Sequence, residues 1–248
     1  MYFTQPPLPH DPRVRGVLSS TWLALDSGPA ADVVSARRLG HRAPLRLLLQ
    51  RTSGGAARLA ARGSPSSLPA PARLVLRQCV AQAHADVNEA YPRQNGGSRF
   101  KNGKFPNDAE CDRAVRFTHK GLPVTLAQEL GILKHAAAFA CVKDRLSKDF
   151  GDNFSVEPRY KGNPDTHGVV LTNDGPESLV PDLVVHAIRD ATNVQCVYEF
   201  KFPCHEKHRL NPMDAPGVKA QLHGYQKLSN RCPVALVTPS GLKQLGVD

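Results

Sequence analysis

The segment VQCVYEFKF, from Val194 to Phe202, restricts the fold of this chain more than any other feature. Its residues alternate with a period of two, which is the pattern of a β-strand. Val197, Glu199 and Lys201 share one face, and the other face is apolar. Both charged residues have large apolar neighbours, so they are hard to explain as solvated surface. The segment therefore predicts a strand that carries an acid and a base side by side, and a functional pair is one interpretation of it. An edge strand with one polar face is the alternative.

A second apolar run, LVPDLVVHAI from Leu179 to Ile188, places Asp182 at the start of another strand. Asp182 and Glu199 are 17 residues apart, and a short hairpin through residues 189–193 can pair the two strands. The hairpin brings two carboxylates close to the ammonium group of Lys201. Carboxylates are ligands that Mg²⁺ and Mn²⁺ prefer, and a bound cation lowers the pKa of its water and neutralises phosphate charge. Such a group of side chains can hold a cation beside a phosphate, and a nearby lysine can orient the bound water and stabilise the transition state.

The order of the predicted elements indicates the α/β class. A capping box at Thr125 and Gln128 starts the clearest helix, which runs to residue 149. Periodicity predicts further helices over residues 71–90 and 215–229. Strands are predicted over residues 154–160, 168–172, 179–188, 194–202 and 233–238. The order helix, strands, helix, strand implies a central sheet flanked by helices.

The first 70 residues differ from the rest and are rich in Pro, Gly, Ala, Ser and Arg. They are interpreted as a partly disordered extension, with an arginine-rich arm that binds nucleic acid as the alternative. Residues 71–123 are expected to form a helical and loop lead-in, and residues 124–248 the main domain. Residues 1–75 hold +7 of the formal net charge of +10, so only a small basic excess belongs to the main domain.

The chain contains no apolar run of 18 or more residues, so no membrane span is expected. Its first residues lack the charged start and apolar stretch of a signal peptide, so export by the general secretory route is not expected either. The six cysteines are widely separated, and buried thiols are their expected state. A single disulfide that involves Cys204 is the alternative.

Four motifs resemble those of the PD-(D/E)XK nuclease superfamily and occur in the family's order. The matching segments are Gly131 to His135 (G-x-x-x-H), Pro181-Asp182, Glu199-Phe200-Lys201 (E-x-K) and Gln221 to Tyr225 (Q-x-x-x-Y). The first and last of them are similar to motifs of the RecB-like branch. The resemblance covers residues 125–238. It implies a restriction-endonuclease-like core, with a central mixed sheet and the order helix, strands, helix, strand.

The resemblance also implies a role for each motif residue. Asp182 and Glu199 become the carboxylate ligands of Mg²⁺ or Mn²⁺. His135 becomes a third ligand, and Lys201 becomes the catalytic lysine. Glu129 is the alternative ligand, because many relatives use a glutamate from the first helix. It lies six residues before His135, so the two side chains point to different faces of the helix.

Gln221 and Tyr225 are one helical turn apart and share a face. By the resemblance they position Lys201 or bind the substrate strand. For some of these residues a purely structural role is the alternative to the role that the resemblance implies. Amphipathic packing also accounts for Tyr225, and a hydrogen-bonded core histidine also accounts for His135.

The function that the resemblance implies is a Mg²⁺- or Mn²⁺-dependent deoxyribonuclease that leaves a 5′-phosphate and a 3′-hydroxyl. The phrases PNDAEC, ELGILKHAAAFAC, LVPDLVVHA and VYEFKFPC are also similar to bacterial restriction-endonuclease-type toxin domains. That similarity implies an effector that acts in the cytoplasm after delivery by a specialised secretion system, with a cognate immunity protein as a partner. The alternatives are a DNA-repair or phage-defence nuclease, and a non-catalytic nucleic-acid-binding module on the same fold.

Overall fold

A computed structural model of the protein describes residues 70–97, 99–163, 168–173, 175, 177–228 and 231–245. The predicted extension over residues 1–70 lies outside the described residues, apart from Ala70, where the first helix begins. The α-helices are α1 (Ala70–Gln94), α2 (Asp108–Asp112), α3 (Leu126–Phe150), α4 (Glu206–Leu210) and α5 (Val218–Tyr225). None of these described helices is long and apolar enough to cross a membrane.

The strands lie mostly between α3 and α4. They are β1 (Ala114–Phe117), β2 (Pro123–Thr125), β3 (Phe154–Val156), β4 (Tyr160–Gly162), β5 (Val169–Leu171), β6 (Leu183–Ala187), β7 (Asp190–Phe200), β8 (Ala235–Thr238) and β9 (Gly241–Gln244). The boundary predicted between residues 123 and 124 falls inside β2.

The central sheet has five strands in the order β3-β6-β7-β8-β9. β7 and β8 are parallel, and every other neighbouring pair in this sheet is antiparallel. The connection from β7 to β8 contains α4 and α5, as a parallel crossover requires. The prediction of an α/β fold with a mixed sheet flanked by helices is therefore confirmed. β1 pairs with β2, and β4 with β5, in two smaller sheets.

The alternation of residues along β6 and β7 gives the sheet a core on each face. One core packs α1 and α3 on the sheet and includes Leu76, Val80, Ala138, Val142, Leu183, Val185, Cys196, Tyr198 and Phe200. The other packs α5 on the opposite face and includes Val184, Val197, Leu222, Tyr225 and Leu236. The apolar residues of β7 are thus buried on both faces, as a central strand requires.

A register shift in the β6–β7 pair changes one predicted contact. Val185 pairs with Cys196, but the next residue of β6, His186, pairs with Val194. The extra residue of β7 forms a bulge, and a bulge reverses the side to which the following residues point. Val194 therefore packs in the α5 core, whereas Cys196 packs in the α1–α3 core. The period-two alternation predicted for the whole segment from Val194 to Phe202 is therefore wrong at Val194.

Helix α3 begins at the predicted capping box. The hydroxyl oxygen of Thr125 accepts a hydrogen bond from the backbone N–H of Gln128 at 3.3 Å. The side-chain oxygen of Gln128 accepts one from the backbone N–H of Thr125 at 2.8 Å. The exchange satisfies two N–H groups that have no partner inside the helix. The helix continues to Phe150 and carries His135 on one of its faces.

Other predicted elements differ in their ends. The strand predicted over residues 154–160 is divided into β3 and β4, because Glu157 has a φ of +52° and ends the extended conformation. The strand predicted from Val194 begins earlier, at Asp190. The helix predicted over residues 215–229 is the shorter α5, which continues into a 3-10 turn. The sequence did not predict β9.

The six cysteines form three disulfides, so the prediction of buried thiols is wrong. The bonds are Cys79–Cys141, Cys111–Cys204 and Cys196–Cys232. Their Cα–Cα distances are 5.5, 5.9 and 5.3 Å, within the usual span of a disulfide. The partners are 62, 93 and 36 residues apart in the sequence, so only the tertiary fold brings them together. Disulfides of this kind form in oxidising compartments.

We expect the Cys79–Cys141 bond, which joins α1 to α3, to contribute about 4 kcal/mol to the free energy of unfolding, because it closes a long loop in the unfolded chain. The Cys79→Ala/Cys141→Ala variant should lose that amount in urea denaturation under non-reducing conditions. A reductant should lower the midpoint of the wild type more than that of the variant, which has one bond fewer to lose. Equal non-reducing midpoints would contradict the prediction.

Candidate active site

The candidate site lies at the end of the sheet where β6 begins and β7 ends. Leu183 pairs with Tyr198, so the next position of this antiparallel pair brings Asp182 opposite Glu199. Only 6% of the surface of Asp182 and 3% of that of Glu199 are exposed. The backbone N–H of Phe200 donates to Oδ2 of Asp182 at 2.6 Å. The structure therefore brings the two predicted carboxylates together on neighbouring strands.

Lys201 stands beside Glu199, with 2.6 Å between Nζ and Oε1. Its backbone N–H donates to the carbonyl of Val237 in β8 at 3.0 Å, which fixes the chain where β7 ends. Burial lowers the pKa of Lys201, but the negative charges of Glu199 and Asp182 outweigh that effect and raise it above its ordinary value. The lysine is therefore held in its charged form.

Glu199 has one oxygen that the protein leaves unsatisfied. Oε1 accepts from Lys201, whereas Oε2 is buried and has no hydrogen-bond partner among the described residues. A buried acceptor without a partner is costly and rare in folded proteins. Burial raises the pKa of Glu199, and the charge of Asp182 raises it further, while Lys201 opposes both effects. Glu199 thus keeps one buried oxygen without a hydrogen bond, and the hydroxyl of Tyr225 lies near enough to interact with its carboxylate.

His135 reaches the same site from α3. Its Nδ1 lies 3.3 Å from Oδ1 of Asp182. Its ring makes edge contacts with the rings of Phe139 and Phe202, with centroid distances of 5.5 and 5.1 Å. Burial lowers the pKa of His135, but the charge and hydrogen bond of Asp182 outweigh it and raise the pKa. The structure therefore brings His135, Asp182, Glu199 and Lys201 into one cluster.

Glu129, the alternative ligand, lies elsewhere. Its Oε2 accepts from Nε of Arg116 at 2.7 Å. Its charge raises the pKa of Tyr91, after the larger effect of burial. The helical geometry that separates Glu129 from His135 therefore leaves only His135 at the site.

Gln221 and Tyr225 share a face of α5, as their spacing predicts. The amide nitrogen of Gln221 donates to the hydroxyl of Tyr225 at 2.9 Å, and that hydroxyl donates to the carbonyl of Val180 at 2.7 Å. Burial and the charge of Glu199 raise the pKa of Tyr225. In the described residues neither side chain has a hydrogen bond to Lys201, so the contacts support the segment before Asp182 instead.

The donors of the cluster suit Mg²⁺ or Mn²⁺ in kind. Asp182 and Glu199 supply hard carboxylate oxygens, and Oε2 of Glu199 is the buried oxygen that a cation would satisfy. Among the described residues, however, no three His, Cys, Asp or Glu side chains form a group with ready metal-binding spacing. Lys201 and His135 instead occupy one oxygen of each carboxylate. The cluster therefore contains suitable ligand atoms, but Lys201 contacts the carboxylate of Glu199 and His135 contacts that of Asp182.

Glu157 is an acid near the site that the sequence analysis missed. Its backbone N–H donates to the carbonyl of Asp182 at 3.0 Å. Burial raises the pKa of Glu157, and the charge of Asp182 raises it further, against the opposing charge of His135. The only local signal was a glutamate that interrupts the apolar start of the run FSVEPRY.

Comparison of the chain with protein-family models, with curated proteins and with solved structures gives no match. The resemblance to PD-(D/E)XK nucleases therefore rests on the four sequence motifs.

The contact between His135 and Asp182 predicts a pH dependence. Because the pKa of His135 is raised in the folded protein, its contribution to stability is present below the ordinary value of 6.5 and is lost as the pH rises through the raised pKa. In the metal-free protein, an NMR titration of the His135 ring should show a lower pKa in Asp182→Asn than in the wild type. Asp112→Asn is the matched control, because Asp112 faces His205 instead. Identical titrations of His135 in all three proteins would contradict the assignment.

Proposed function

We propose that the chain is a Mg²⁺- or Mn²⁺-dependent nuclease of the PD-(D/E)XK type that hydrolyses phosphodiester bonds of DNA. The observation that carries the proposal is the cluster at the end of β6 and β7. There, two buried carboxylates, Asp182 and Glu199, lie on neighbouring strands, with Lys201 2.6 Å from one of them. Buried ionisable groups with strongly perturbed pKa values are typical of catalytic sites.

Asp182, Glu199 and His135 are the residues that would hold the cation. When bound, the cation supplies a Lewis acid and lowers the pKa of a coordinated water. Lys201 contributes a positive charge beside the reacting phosphate, where negative charge develops in the transition state. Because the carboxylates raise the pKa of Lys201, it keeps that charge at neutral pH. The hydrogen bond from Phe200 orients Asp182, and β8 holds the backbone of Lys201. By the family resemblance, the products carry a 5′-phosphate and a 3′-hydroxyl.

The disulfides favour an exported effector over a repair or phage-defence nuclease of the cytosol. All six cysteines of the chain are paired, and structural disulfides are rare in proteins that fold and remain in reducing compartments. An effector that leaves its producing cell would pass through an oxidising extracellular environment, where such bonds persist. This is consistent with the similarity to restriction-endonuclease-type toxin domains, and a cognate immunity protein is then the expected partner.

Plasmid degradation with Mg²⁺ or Mn²⁺ tests the proposal. Glu199→Gln and Lys201→Met keep the approximate shape of the side chains but remove their charges, and each should lower the cutting rate by at least about 100-fold. Glu129→Gln is the matched control, because Glu129 lies outside the cluster and pairs with Arg116. It should cut at the wild-type rate, and EDTA should abolish all cutting.

Equal cutting by the wild type, Glu199→Gln and Lys201→Met would exclude this mechanism. Absence of cutting by the wild type, together with DNA binding that weakens as salt increases, would identify a non-catalytic nucleic-acid-binding module.

A further inference from the structure

The hairpin formed by β1 and β2 exposes large apolar side chains. Phe117, the last residue of β1, is 67% exposed, and Leu122, just before β2, is 59% exposed. Phe117 lies opposite Pro123 in the paired strands. The backbone N–H of Thr118 donates to the carbonyl of Leu122 at 2.8 Å, which places Phe117 and Leu122 at the same end of the hairpin. Exposed apolar residues that are grouped in this way, unlike single ones, mark an interaction site.

The turn of the hairpin is held by its own hydrogen bonds. The N–H of Gly121 donates to the carbonyl of Thr118 at 2.9 Å, and the N–H of Leu122 donates to the hydroxyl of Thr118 at 3.0 Å. Gly121 has a φ of +74°, which glycine adopts without strain. A turn that is fixed in this way loses little conformational entropy when its side chains bind a partner.

The surface around the hairpin is basic. Residues 99–123 contain six Arg and Lys residues and three acids, and each acid already accepts a hydrogen bond from a backbone N–H group or contacts His205. Residues 99–104 lie against the base of the hairpin, since Phe100 packs in the same small core as Val115. Arg116 pairs with Glu129. The other five cations are exposed and have no ion pair within 4.0 Å among the described residues: Arg99, Lys101, Lys104, Arg113 and Lys120.

Helix α3 places the hairpin at the same end of the central sheet as the candidate site. His135 lies at the site, where β6 begins, and α3 then runs towards the other end of β6. There the N–H of His186 donates to the carbonyl of Asn153, just after the helix. The part of α3 before His135 therefore extends roughly 13 Å beyond the site. The hairpin is attached to that part, because the N–H of Leu126 donates to the carbonyl of Arg113 at 2.8 Å.

The base of the hairpin is also fixed to the chain beside Lys201. Cys111, three residues before β1, is bonded to Cys204, three residues after Lys201. Next to this bond, Nε2 of His205 lies 2.8 Å from Oδ1 of Asp112. The hairpin therefore keeps a fixed position relative to the proposed catalytic lysine.

We propose that the β1–β2 hairpin is a DNA-binding ribbon that lies on the duplex beside the scissile phosphate. Arg113 and Lys120 contact the phosphate backbone, and Phe117 packs against the bases. A two-stranded ribbon fits the major groove of B-DNA, where apolar side chains contact the methyl group of thymine. The inference rests on the proposed function and assigns substrate contacts to residues outside the four motifs.

Charge favours DNA over the other occupants of this surface. DNA carries one negative charge per about 1.7 Å of its axis, which complements five cations without ion pairs. A second copy of the chain would bring like charges together. Residues 1–75 of the chain hold a charge of +7, so the same repulsion opposes them. An acidic protein is the competing partner, and it predicts no change in DNA affinity when the ring of Phe117 is removed.

Fluorescence anisotropy of a labelled DNA duplex in EDTA measures binding by the full chain separately from cutting. Phe117→Ala should weaken binding of the duplex by about 10-fold, because an aromatic contact with a base is lost. It should leave heparin binding unchanged, since heparin is a polyanion without bases. Ile188→Ala is the matched control, because Ile188 is 63% exposed and lies beyond the opposite end of β6. It should bind both polyanions like the wild type.

The basic residues have a separate test in the salt dependence of binding. Arg113→Gln/Lys120→Gln should weaken binding of both polyanions and should lower the slope of log K against log salt concentration by about two for DNA, one for each phosphate contact. Lys148→Gln, in the last turn of α3, is the control and should keep the wild-type slope. In plasmid cutting, Phe117→Ala should raise KM with little change in kcat, because the hairpin does not touch the reacting atoms.

Wild-type affinity for the duplex in Phe117→Ala would overturn the inference, and so would an equal loss of DNA and heparin binding. Either result would leave the proposed function intact if the wild type cuts plasmid. A wild type that binds the duplex through Phe117 but does not cut it would remove the proposed nuclease activity and support the hairpin as a DNA-binding element. A wild type that does not bind the duplex would overturn the inference whatever the cutting assay shows.

Discussion

The structure of the candidate site depends on the ion pair between Glu199, which is buried in the middle strand of the central sheet, and the partly buried Lys201 that follows this strand. Transfer of two charges from water into a protein interior is costly, and their mutual attraction offsets this cost only with good geometry and further hydrogen bonds. The 2.6 Å contact supplies the geometry. The surrounding backbone supplies much of the rest, since Phe200 holds Asp182 and Val237 holds the chain at Lys201. A strand that carries such a pair must be fixed on both sides, and β7 is paired with β6 and β8.

The disulfides reinforce the same arrangement. Each of them has one cysteine within six residues of a site residue: Cys196 precedes Glu199, Cys204 follows Lys201 and Cys141 follows His135. The bonds join these segments to α1, to α2 and to the segment before β8. Charged groups that are fixed before a ligand arrives need little reorganisation when charge develops on it. The cross-links therefore stabilise the fold and also restrict movement of the groups that the proposed chemistry uses.

The sequence predicted the parts of the site that follow from strand periodicity. Burial of the apolar face of β7 fixes the register of the β6–β7 pair. That register places Asp182 opposite Glu199. The period-two alternation is interrupted at Val194 by the β-bulge. The position of a bulge depends on how β7 pairs with β6 and cannot be read from the local sequence. The sequence named Cys204 as the candidate for a single disulfide, and Cys204 is bonded to Cys111. The pairings and the other two bonds could not be predicted, because partners 36 to 93 residues apart become neighbours only in the folded chain. Glu157 was missed because its left-handed backbone ends a run that otherwise looks like one strand.

These observations explain how four short motifs can resemble those of a nuclease superfamily while the rest of the chain matches no known protein. A site of the proposed kind needs two carboxylates at the ends of adjacent strands and a lysine two residues after one of these carboxylates. It also needs one side chain contributed by a helix that packs on the sheet. The sheet fixes the relative positions of the first three groups through backbone pairing, which any sufficiently apolar sequence can form. Helix packing, loops and cross-links are then free to vary, provided that they keep the edge of the sheet buried. The proposed function would therefore reside in the cluster and not in the fold as a whole, and it would depend first on the charges around Glu199.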